Sequence, residues 1–111
     1  MNEQQFEKLK KIVVDAAKAN NQLQNEEEEW DNLSHFKQWL ANATPLNKDV
    51  GKYAFDLMDF YCAEQLPHHH GEDGIIKLET IQPMWAQKAV REVVGEINAL
   101  RVSQSVNQLP N

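Results

Sequence analysis

Residues 48–65 carry the pattern that most constrains how this chain can fold. At about 100° per residue, Val50, Tyr53, Ala54, Phe55, Leu57, Met58, Phe60, Tyr61 and Cys62 cover most of the circumference of a helix. The one polar stripe holds Lys48, Asp49, Lys52, Asp56 and Asp59. A helix that is apolar on most sides has to be surrounded by other elements. This segment is therefore expected to be the central helix, opened by Thr44-Pro45, with proline tolerated in the first turn.

The flanking segments supply candidates for the enclosure. Phe6, Leu9, Val13, Ala16, Asn20 and Leu23 recur at heptad spacing, widened by Ile12 and Ala17, and predict an amphipathic helix over 3–23. Asn20 sits on that seam, where a helix end or a register-setting polar contact is expected. Asn25 is read as the cap of a second helix. Glu26–Glu29 fill its first turn, where acids suit the positive end of the helix dipole, and Trp30, Leu33, Phe36 and Leu40 lie on its inner side. "ANATP" stops it, because the residue before a proline avoids the α region. Thr80 is the expected N-cap of a last helix running to about Val102, with Ala86, Ala89, Val90, Val93, Val94, Ile97 and Leu100 as its inner stripe. Between the third and last helices, "LPHHHGEDGIIKLET" joins turn chemistry at Gly71–Gly74 to a short β-branched run. "IIKL" can form a two-residue bridge or a small hairpin back to the histidines. The sum is an all-α fold: a compact bundle of about four helices, one longer loop over 66–80 and a minimal β-bridge within it. A single domain is expected over 1–104, and residues 105–111 are expected to be a frayed polar tail.

Charge is unevenly placed along the 111 residues. Residues 1–25 carry three acids against four bases, and residues 80–111 carry two against three. Residues 26–79 carry twelve against four, a local balance of −8 within a total of −6. Such a surface repels phosphate backbones and speeds encounter with basic proteins. The longest apolar run is Phe60–Ala63, far short of the roughly 20 residues that span a bilayer. The start "MNEQQFEKLKK" has no apolar signal region. With one cysteine and therefore no internal disulfide, the expected location is cytoplasmic.

Candidate sites follow from residue type. "EEEEWD" places Trp30 among Glu26, Glu27, Glu28, Glu29 and Asp31, the pattern of an aromatic anchor at an acidic rim, although a charged helix start with a core tryptophan gives the same letters. Tyr53 and Phe60 flank the Asp56–Asp59 stripe, and Glu72 and Asp73 extend the acidic set into the loop. His68, His69 and His70, with His35 as a distant fourth, are the only metal-ligand candidates of note. Neighbouring imidazoles diverge, and no HxxxH, CxxC or Glu-x-x-His motif supports them, so no metal site is expected. An EF-hand alignment on Gly74 puts His69, Gly71 and Thr80 where acidic oxygen ligands belong, and fails. Cys62 lies on the apolar arc and is expected to be an inert buried thiol. Asp56 and Asp59, spaced with Lys48 and Lys52, have the look of a solvated face rather than an acid–base pair. No phosphate-binding loop or nucleophile elbow is present.

The expected function is a small acidic cytosolic module that occludes or neutralises a basic protein, a toxin or nuclease being the type. No enzymatic activity, cofactor, nucleic acid or membrane is expected, and the chain should be a monomer or weak dimer. Immunity proteins, antitoxins and inhibitors share this profile of size, charge and helicity, an analogy of composition and not of motif. The alternatives are a metal- or ligand-binding helical protein centred on His68–His70, and a structural subunit of a larger assembly using the heptad seam.

Overall fold

In the computed structural model, residues 3–25 and 50–108 are described; of these, the side chains of Glu3 and of residues 101–108 are not. The described chain is mostly helical. Helix α1 spans Glu3–Ala19, α2 Val50–Tyr61 and α3 Met84–Gln108. Between α2 and α3 lie strands β1, His69–His70, and β2, Ile76–Lys77, followed by a 3-10 turn at Leu78–Thr80. The second helix expected after Asn25, with Glu26–Glu29, Trp30, Asp31 and His35, lies outside the described residues, as do Thr44-Pro45 and residues 109–111.

The core is built where the apolar stripes meet. Helix α1 contributes Phe6, Leu9, Val13 and Ala17, helix α2 Val50, Ala54, Phe55, Leu57, Met58 and Tyr61, and helix α3 Ala86, Ala89, Val90, Val93 and Ile97. Helix α3 packs extensively along both α1 and α2, while α1 and α2 touch less broadly. The small side chains of Ala86 and Ala89 are buried on α3, as their size suits for close helix approach. On α1 the fully buried alanine is Ala17 and not Ala16. A straight 3.6-residue helix drifts off a strict seven-residue seam. The exposed Lys8 meets Glu96 at 3.1 Å, a surface ion pair between α1 and α3.

Helix α1 stops earlier than the expected residue 23 because asparagine supplies a C-cap. Asn21 has φ 57°. The Asn21 amide donates to Lys18 O at 3.2 Å and the Gln22 amide to Ala17 O at 2.8 Å, the paired bonds of a Schellman cap. Asn20 Nδ2 donates to Ala16 O at 2.8 Å, so the polar residue on the seam closes the helix.

The chain leaving that cap then runs antiparallel to the end of α2. The Gln24 amide donates to Tyr61 O at 2.9 Å and the Ala63 amide to Gln22 O at 2.6 Å, forming a Leu23–Cys62 bridge. Gln24 Nε2 donates to Cys62 O and Asn25 Nδ2 to Phe60 O, each at 2.8 Å. These bonds satisfy carbonyls that would otherwise be orphaned at a helix C-terminus, and they end α2 at Tyr61 instead of the expected residue 65. The role expected for Asn25 changes too. Its φ of 57° is not the extended backbone usual for an N-cap, and its side chain serves α2.

The loop over 66–80 is a docked hairpin. His69 pairs with Lys77 and His70 with Ile76, the antiparallel bridge that "IIKL" suggests. The Gly71 amide donates to Ile75 O and the Gly74 amide to Gly71 O, each at 2.9 Å, with Gly74 at φ 77° in the turn. Leu66, Ile76 and Ile81 are buried and fasten the hairpin to the helices. Gly51 on α2 permits the approach: a Cβ there would stand 3.1 Å from Ile76 Cγ2.

Thr80 does not cap the last helix. Its hydroxyl accepts the His69 amide at 2.8 Å and donates to Lys77 O at 2.7 Å, closing the hairpin base. Pro83 takes the capping position, its carbonyl accepting the Ala86 and Gln87 amides at 3.0 and 3.1 Å. Helix α3 then continues to Gln108, through residues expected to belong to the tail.

Candidate functional site

The hairpin gathers most of the chemistry that the described residues offer. Its two chain directions bring Glu72 and Asp73 from the turn beside Glu79 from the 3-10 segment, around a shallow depression also lined by Gly71, Ile75, Ile76 and Lys77. The three acids are exposed and Ile75 is half-buried. Asp73 Oδ1 accepts the Ile75 amide at 3.0 Å, which fixes the turn while leaving the carboxylate at the surface. Glu79 was absent from the sequence-derived set. It lies six residues from Asp73 in sequence, and only the pairing of 69–70 with 76–77 brings it round.

The other acids are on α2. Asp56 is engaged by Lys52 Nζ at 3.0 Å, the i,i+4 pair that the spacing implies, and both side chains are well exposed. Asp59 is half-buried, and its carbonyl accepts the Cys62 amide at 3.3 Å. Tyr53 and Phe60 are half-buried against the core, so each offers a partner only part of its ring. Burial first, and the neighbouring Tyr61 second, push the Tyr53 phenol well above the ordinary tyrosine range. Phe60 makes an edge-on contact with Tyr61 at 4.8 Å between centroids, and Lys10 Nζ stands 5.8 Å from the Tyr61 ring. Cys62 is buried and its thiol is pushed upward chiefly by desolvation, the environment of an unreactive cysteine.

The histidines do not behave as three equivalent loop residues. In an extended segment, residues two apart share a face and the one between them points away. His68 lies against Phe55 at 4.2 Å between ring centroids, and His70 meets His68 edge-on at 5.1 Å. His68 Nδ1 is 3.0 Å from Leu66 O and His70 Nδ1 is 3.2 Å from Gly74 O. A carbonyl oxygen only accepts, so Nδ1 is the donor in both contacts. The divergence expected of neighbouring imidazoles therefore sets His69 apart but does not separate His68 from His70. His68, half-buried against Phe55, is also partly structural. Among the described residues no three His, Cys, Asp or Glu side chains gather as a metal site, and no helix is long and apolar enough to cross a membrane.

The candidate contacts Glu26, Glu27, Glu28, Glu29, Trp30 and Asp31 lie outside the described residues, so only the Tyr53–Phe60 face and the hairpin can be placed. Comparison with protein-family models, with curated proteins and with solved structures gives no match to this chain.

Proposed function

We propose that this chain is a small acidic protein-binding module that neutralises or occludes a basic protein partner, in the manner of an immunity protein, antitoxin or inhibitor acting in the cytosol. Support comes from the charge distribution: residues 26–79 hold twelve acids against four bases, and both flanks are slightly basic. Within that segment, Glu72, Asp73 and Glu79 line one surface depression on the hairpin beside the half-buried Ile75. With three carboxylates against one lysine, Lys77, around Ile75, the depression is net negative and suits a lysine- or arginine-rich surface, since long-range attraction accelerates encounter and the apolar contact holds the complex. Interfaces of this kind require no catalytic residue, cofactor or metal.

The direct test is capture of the partner on the full chain at low and at high salt, followed by identification and rebinding of the purified partner. The expected result is a basic protein that rebinds at low salt, is weakened by salt, and is weakened further when Glu72, Asp73 and Glu79 are replaced by Gln, Asn and Gln. A captured partner without a basic surface, or one bound equally by this variant, contradicts the proposal.

A further inference from the structure

The apolar stripe of α3 changes sides along the helix. Ala86, Ala89, Val90, Val93 and Ile97 are buried in the core, and the half-buried Leu100 ends that series. At about 100° per residue, the same side of the helix continues with Gln104, Asn107 and Gln108, all polar. On the opposite side the order is reversed. Lys88, Arg91 and Glu92 come first, and Gly95, Ala99, Val102 and Val106 follow at spacings of four, three and four, the heptad rhythm of a helix-pairing seam. Gly95 and Ala99 are exposed. A Cβ at Gly95 would meet no described residue within 4 Å. The domain's own packing therefore gives no reason for glycine at this position, although glycine is among the poorest residues for a helix interior.

We infer that this outer seam pairs with the same seam of a second copy of the chain, the two α3 helices running antiparallel about a two-fold axis that passes between Leu100 and Arg101. Residue volume sets the register. Gly95 lies opposite the partner's Val106 and Ala99 opposite the partner's Val102, so every layer joins a small residue to a larger one, as a self-complementary interface requires. A parallel pair would set glycine on glycine and valine on valine. Charge favours a copy of this chain over a basic protein as the occupant. A chain of net charge −6 repels its copies over most of its surface, but residues 97–108 carry Arg101 and no acid. Asn98, Ser103 and Ser105 flank the seam, and Arg101 lies off it, so no like charges are forced together across the axis. Length sets the strength. The twelve residues from Gly95 to Val106 span roughly 18 Å of helix, too little for the roughly 800 Å² per partner of a standard interface, so the dimer is weak and reversible. The hairpin adjoins the other end of α3, through Gln87, and is left free by this pairing.

The test is sedimentation equilibrium of the untagged full chain alone, with folding of each variant verified by circular dichroism. A reversible monomer–dimer equilibrium with a Kd above about 1 μM is expected. Val102→Asp should weaken it by about tenfold or more, because each copy would bury an unpaired charge, and should leave the monomer folded. Gly95→Val discriminates between registers. It improves helix propensity and meets nothing in its own chain, yet it overfills the layer against the partner's Val106 and should weaken the dimer by about tenfold. Adding Val106→Ala to Gly95→Val exchanges the small and large positions and should restore affinity to within about threefold of the wild-type chain. The inference is overturned by a chain that stays monomeric up to about 1 mM, by a dimer that Val102→Asp leaves intact, by a Gly95→Val chain that associates as well as the wild type or better, as a parallel pair would, or by a double variant no tighter than Gly95→Val.

Discussion

Leu57→Ala is the sharpest test of the packing. Leu57 has no exposed surface and lies at the middle of α2, among side chains from α1 and α3. The substitution removes three carbon atoms, worth about 2.4 kcal/mol at roughly 0.8 kcal/mol for each buried methylene-sized group. A cavity term adds to this because a site enclosed by several elements collapses only in part, and the expected total is about 3–4 kcal/mol. For a domain whose stability is on the order of 5–15 kcal/mol, that is a large fraction of the whole. Urea unfolding followed by circular dichroism should show the midpoint falling by about 2 M for a slope near 1.5 kcal/mol/M, with the slope itself unchanged. Leu57→Met, which nearly conserves volume, should cost less than about 1.5 kcal/mol. A loss below about 1 kcal/mol for the alanine variant would refute the enclosure of α2, and with it the argument from its apolar circumference.

Two further outcomes follow from hydrogen bonding and titration. Asn25→Ala removes a side-chain bond to Phe60 O in the last turn of α2 and Gln24→Ala one to Cys62 O just beyond it, and each should cost about 0.5–1.5 kcal/mol; double-mutant unfolding should show non-additivity, because both act around the same helix end. Tyr53 has a raised folded pKa, so the stability it contributes is complete below its unfolded value near 10 and declines as pH rises beyond that toward the folded value. Alkaline unfolding monitored above pH 10 should therefore be shallower in Tyr53→Phe than in the wild-type chain.

The parts of the fold that were legible in the sequence are those set by local periodicity. The arc of Val50, Ala54, Leu57, Met58 and Tyr61 is buried as its spacing implies, and so are Phe6, Leu9 and Val13. The β-branched Ile75-Ile76 after Gly74 foretold the bridge to the histidines. Features that depend on which distant backbone arrives nearby were not legible. The polar stretch 20–25 looks like an ordinary turn, yet Gln24 and Asn25 close a helix more than thirty residues away in sequence. Thr80 is a good cap by composition, but the His69 amide and Lys77 carbonyl take its hydroxyl, and the cap passes to Pro83. Helix α3 runs on to Gln108 because nothing in "RVSQSVNQ" forbids a helix: it has no glycine, and the first proline, Pro110, follows it.

The same division applies to the candidate site. Glu72 and Asp73 could be named from their place in the turn, while Glu79 joined them only through strand pairing. The three adjacent histidines could be counted, but their sorting into a facing pair and an outlier required the extended backbone at 68–70.

The central claim is recognition of a basic protein by the acidic surface, and association kinetics across ionic strength test it most directly. The wild-type chain should be compared with a variant in which Glu26, Glu27, Glu28, Glu29, Asp31, Glu72 and Asp73 are replaced by Gln or Asn, with folding of both verified by circular dichroism. Against the purified partner, the association rate of the wild-type chain should fall steeply as salt rises from low to physiological strength. The variant should associate slowly at low salt with a nearly flat dependence, while its dissociation rate changes less. Equal rates and equal salt slopes for the two chains would contradict the account.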